Sequence, residues 1–122
     1  MQPTAEQFTE QAWAAIVAAQ QLAQSAKPQQ LETEHLLLAL LQQNGLAGRI
    51  LSKAGVDVAT FQASVDTHLK RQPSLGSPPE SVFLGRSLNN CLDRAETIRD
   101  GFSDSYIAIE HLLLALADDD RC

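Results

Sequence analysis

Alternating runs of β-branched residues are missing from this 122-residue chain, which argues against a sheet as its framework. No stretch reaches about 18 consecutive apolar residues, so no membrane-spanning helix is expected. Basic residues are few, nine Lys and Arg against fifteen Asp and Glu, and only Lys70 and Arg71 are adjacent. A net charge of −6 with no basic cluster argues against nucleic acid as a partner, because phosphate backbones are held by grouped Lys and Arg. The two cysteines, Cys91 and Cys122, make no disulfide framework, and Cys91 falls on the apolar stripe of a predicted helix. Met1, Gln2, Pro3 and Thr4 open without the basic start and apolar stretch of a secretory signal. A reduced, cytosolic setting is therefore expected. None of the six glycines is followed by lysine, so the glycine-rich loop that cradles phosphates is absent. No nucleotide chemistry is expected of this chain.

What is present is a repeat. Glu-His-Leu-Leu-Leu-Ala-Leu occurs at Glu34–Leu40 and again at Glu110–Leu116, 76 positions later. At the same offset Phe8 matches Leu84, Ile16 matches Leu92, Ala19 matches Ala95, Leu22 matches Ile98 and Leu31 matches Ile107. Apolar positions persist while polar ones drift, as they do when packing preserves a pattern. This is a tandem duplication of a helical unit.

The helices can be read from stripes and stop signals. Helix 1 is expected over Ala5 to Ala26, with Thr4 as N-cap, Gln7 completing a capping box, and Pro28 ending it. Its stripe is Phe8, Ala12, Ile16, Ala19, Leu22 and Ala26. A second helix, Thr33 to Asn44, carries leucines on more than one face and should be the buried centre of its unit, stopping at a left-handed Gly45. The third runs from Leu46 to Ala54 and stops at Gly55; Asp57 then caps the fourth, striped by Val58, Phe61, Val65 and Leu69. Gln72 to Glu80, with Pro73, Gly76, Pro78 and Pro79, reads as the connector between units. The fifth helix is expected over Val82 to Asp100, ended by Gly101, and the sixth from Ala108 or Ile109. The chain thus reads as one all-α domain, residues 1–122: repeat one 1–72, connector 72–80, and partial repeat two 81–122. The pattern predicts about 25 further residues in two more helices, so the second repeat is expected to be cut short at Cys122.

Several stretches together resemble one family: Phe8–Trp13, Gln30–Leu36, Lys53–Val56, Leu84–Leu88 and Tyr106–Leu112. They are similar to the N-terminal domain of Clp-type AAA+ unfoldases, and within that group to the ClpB disaggregase branch. Phe102–His111 departs from the form favoured by the ClpC and ClpA branches. The resemblance implies a pseudo-twofold pair of helical repeats that binds unfolded or aggregated protein clients through an apolar groove. It also implies ATP- and magnesium-dependent threading by two modules outside this chain, and a homohexameric parent. The positions matching the family's client-linked polar residues are Thr9, Asp104 and Glu110. The alternative is an N-domain or stand-alone accessory of a Clp protease system that docks adaptors or the protease core.

Each of these residues also has a plainer reading. Thr9 can point to solvent or bond the backbone four residues back, Asp104 is a natural turn or cap residue, and Glu110 suits the positive end of a helix dipole. Trp13 and Val17 lie off the main stripe of helix 1 and either pack on the other repeat or join an exposed client-binding patch. His35 and His111, each after a glutamate, have the residue types of a zinc site. Their equivalent places in the first turn of a leucine helix favour hydrogen bonding there instead, so no metal site is expected.

Overall fold

The computed structural model describes residues 3–24, 31–43, 45–71 and 85–118. The expected ends of helix 1 at Ala26 and of helix 2 at Asn44, the start of helix 5 at Val82, the connector from Gln72 to Glu80, and Cys122 lie outside them. A short 3-10 turn, Ala5–Gln7, is followed by α1 (Glu10–Gln24), α2 (Thr33–Gln42), α3 (Leu46–Lys53), α4 (Val58–Arg71), α5 (Arg86–Gly101) and α6 (Ile109–Ala117). No helix among the described residues is long and apolar enough to cross a membrane.

Packing follows the duplication. α1 lies on α2 as α5 lies on α6, and α2 also touches α4, α5 and α6. Every residue of α2 from Thr33 to Leu41 is buried, so the leucine helix is the centre that its all-round apolar pattern predicts. The stripe of α1 points inward at Ala12, Ile16 and Ala19 and is widened by buried Ala15 and Ala23. Cys91 lies fully buried on α5.

The two units interlock by crossed backbone pairing. Phe8 and Ile107 form a parallel bridge: the Thr9 N–H donates to the Ile107 carbonyl at 3.0 Å, and the Ile107 N–H donates to the Gln7 carbonyl at 2.8 Å. In the mirrored place the Gly85 N–H donates to the Leu31 carbonyl at 2.8 Å. Thr9 and Gly85 are repeat equivalents, as are Leu31 and Ile107. Each unit's approach to its first helix therefore pairs with the other unit's approach to its leucine helix. Gly85 is buried against the Glu32 carboxylate, so a side chain here would have to displace the end of Glu32.

That pairing corrects the expected start of helix 1. Thr4 and Gln7 do form a capping box, with the Thr4 N–H donating to Gln7 Oε1 at 3.0 Å, but it caps only the 3-10 turn. Phe8 is extended (φ −124°, ψ 156°), and α1 starts beyond it. A helical Phe8 could not present its backbone to Ile107.

One stop is also corrected. Gly45 is not left-handed (φ −119°); it is the N-cap of α3, and its carbonyl accepts the Arg49 N–H at 3.2 Å. Gly101 is the last residue of α5, as expected, and Ser103, at φ 58°, takes the left-handed place beyond it. There the Asp104 N–H donates to the Arg99 carbonyl (3.1 Å) and the Ser103 N–H to the Asp100 carbonyl (3.0 Å), a Schellman ending. α3 ends in the same motif, with Gly55 at φ 90° as expected. The expected Asp57 cap of α4 is present as well, its Oδ1 accepting the Thr60 N–H at 3.3 Å. Because a side chain strains the left-handed conformation, Ser103→Gly should stabilise the chain by about 0.5–1 kcal/mol. Urea unfolding checks this, and a loss of stability would contradict the geometry assigned to Ser103.

Candidate functional site

The first turns of α2 and α6 are built alike. His35 Nδ1 accepts the Glu32 N–H at 3.0 Å, and His111 Nδ1 accepts the Ala108 N–H at 2.8 Å. Each imidazole does what a glutamine does at the third position of a capping box, folding back on the N-cap amide. Both rings are buried. Their shared task is to close a helix start, and among the described residues no group of three or more His, Cys, Asp or Glu side chains could hold a metal ion.

The glutamates beside them diverge. Glu34 is buried, accepts the Thr33 hydroxyl at 2.7 Å, and lies 3.4 Å from His68 Nε2 on α4. Its twin Glu110 is only half-buried in the first turn of α6. A carboxylate at that place is favoured by the partial positive charge of the helix start. Repeat one covers this glutamate with α4, whereas repeat two leaves it accessible among the described residues.

Of Thr9, Asp104 and Glu110, the structure ties Thr9 by its backbone to the segment that carries the other two. The Thr9 N–H bonds the Ile107 carbonyl, and Asp104 and Glu110 lie three residues to either side of Ile107. Two of the three also have structural partners. Thr9 is the N-cap of α1, its hydroxyl accepting the Ala12 N–H at 3.3 Å. Asp104 Oδ2 lies 2.9 Å from His111 Nε2. Since His111 Nδ1 accepts a backbone amide, the ring proton sits on Nε2, which donates to the carboxylate.

Trp13 packs on Phe8, ring centroids 5.7 Å apart, and is half-buried against the core; Val17 is exposed. Thr9, Trp13 and Val17 recur every fourth residue and so follow one side of α1. α1 touches α6. Sequence reasoning missed Phe102 and Tyr106, each 56% exposed in the α5–α6 loop. The available signal was two aromatic residues in a Ser- and Asp-rich turn, with no helical stripe to join.

Comparison with known proteins agrees with this architecture. Residues 7–122 match the family model described as the Clp repeat (R) N-terminal domain. The chain is 83% identical over 122 residues to chaperone protein ClpB 1 of Parasynechococcus marenigrum, and 51% identical over 123 residues to chaperone protein ClpB of Gloeobacter violaceus. These alignments cover 100% and 99% of this chain, and the chain spans 14% of the length of each relative. Among solved structures, the Hsp104 N-terminal domain from Candida albicans superposes with a TM-score of 0.87 at 30% identity, over 95% of this chain and 77% of that one. The N-terminal domain of the ClpV1 ATPase from E. coli gives 0.83 at 26% identity, over 94% and 70%. With its duplicated leucine helices, the chain belongs to the Clp repeat N-terminal domain family.

Proposed function

We propose that this chain is the client-recognition domain of a ClpB-type protein disaggregase, capturing unfolded or aggregated polypeptide without catalysis of its own. ATP-driven threading, magnesium binding and assembly into a homohexamer belong, on this reading, to AAA+ modules outside the chain, and the setting is cytoplasmic. The observation that supports the reading is the backbone pairing of Thr9 with Ile107, three residues in sequence from both Asp104 and Glu110, where α1 meets the approach to α6. Trp13 and Val17 extend this place along α1 with apolar surface. Carboxylates at its rim suit segments carrying a basic residue beside apolar ones, in keeping with the net charge of −6.

A shallow contact of this kind should bind weakly, on the order of −5 to −8 kcal/mol, which corresponds to micromolar or weaker affinity. Chemical-shift mapping with an unfolded protein should move the amides of Thr9, Val17, Asp104 and Glu110. Shifts confined to Gln72–Glu80, with none around α1 and α6, would remove this site.

A further inference from the structure

We propose that the α5–α6 loop meets an unfolded client through Phe102 and Tyr106, and that Asp104 is a positioning residue which holds this loop through His111. The proposal rests on the client-recognition reading above and assigns roles within it. Phe102 and Tyr106 are the two most exposed large hydrophobic side chains described, and they flank Asp104.

The loop is held at three points. The Schellman ending of α5 fixes Phe102 and Ser103, the Ile107 bridge to the Gln7–Thr9 segment fixes the residue after Tyr106, and the bond from His111 pins Asp104 between them. His111 is 1% exposed and is itself tied to the Ala108 amide, so it is a fixed anchor. The Phe102 ring lies against the His111 ring, centroids 5.6 Å apart. Exposed rings on a fixed frame lose little conformational freedom on binding, which is the advantage of a preorganised contact.

Charge selects the occupant. Arg99, the cation nearest in sequence to the loop, is drawn into contacts with Asp100 at 2.9 Å and Glu96 at 4.0 Å. The Asp104 carboxylate is taken up by His111 Nε2, so the acidic charge left to a client at the approach to α6 is that of the half-buried Glu110. An extended polypeptide segment with a guanidinium or ammonium beside an apolar side chain fits both features, since an aromatic face also attracts a cation.

The test is fluorescence anisotropy of the 122-residue chain with a fluorescein-labelled, unstructured peptide of alternating leucine and arginine. A second peptide carries glutamine in place of arginine. Phe102→Ala and Tyr106→Ala should each weaken binding of the arginine peptide about five- to tenfold, as expected for aromatic anchors, with no change in unfolding midpoint. Asp104→Asn should bind within about twofold of wild type, because its amide oxygen still accepts from His111 Nε2. Asp104→Ala should weaken binding, and the glutamine peptide should bind less well than the arginine one. Should Asp104→Asn lose as much affinity as Asp104→Ala, the carboxylate touches the client directly and the positioning role is wrong. Wild-type affinity in both aromatic variants, or equal affinity for the two peptides, also overturns the proposal. A wild-type chain that binds neither peptide defeats the client-recognition reading itself, and the proposal with it.

Discussion

Leu38→Ala should lower the unfolding free energy by about 2–5 kcal/mol, while the same change at its repeat twin Leu114 should cost less than about 1 kcal/mol. The two leucines share a sequence context, Glu-His-Leu-Leu-Leu-Ala-Leu, yet Leu38 is 2% exposed and Leu114 is 46% exposed. Truncating Leu38 removes buried methyl groups and leaves a cavity in the centre of α2, where Leu37, Ala39 and Leu41 are buried too. Truncating Leu114 mainly removes surface already in water. Against a domain stability of about 5–15 kcal/mol, the first change endangers folding and the second does not. Urea denaturation of both variants measures the difference. Equal losses would mean that the outer face of α6 is covered in solution, and the exposure assigned to Leu114 would be wrong.

His35→Ala should cost about 2–4 kcal/mol, since it opens a cavity and strands the part-buried Glu32 donor. The ring is 2% exposed and its Nδ1 is the acceptor for the Glu32 amide at 3.0 Å. His35→Gln should restore part of the loss, because a glutamine oxygen can reach the same amide in a capping box. Hydrogen exchange at Glu32 reports the bond directly: faster in the alanine variant, slower again in the glutamine one. A change below about 0.5 kcal/mol for His35→Ala would show that the cap carries no weight.

The local pattern and the long-range pairing divide the protein between them. Repeats, helix number, the buried leucine helix and the Asp57 and Gly55 signals are legible in the sequence, because each depends on residues a few positions apart. Helical spacing brings those residues together whatever the rest of the chain does. The start of α1 is not legible in the sequence because Phe8 pairs with Ile107, 99 positions away, and a long-range pair overrides local propensity. Ser103, not a glycine, takes the left-handed place after α5, a choice no local signal marks.

The site divides in the same way. The family resemblance marked Thr9, Asp104 and Glu110 one residue at a time, and nothing in their spacing says that they meet. The crossed pairing joins Thr9 to Ile107 on the segment that carries Asp104 and Glu110, and burial decides which carboxylate of the two repeats stays accessible. Glu34 and Glu110 occupy the same heptapeptide, yet α4 and His68 enclose the first and no described helix encloses the second in that way. By itself the sequence determined that a duplicated, leucine-centred helical domain forms, since apolar periodicity is a local property of the chain. Only the tertiary structure decided how the two copies cross and which of their identical residues face water, because both depend on contacts between segments distant in sequence.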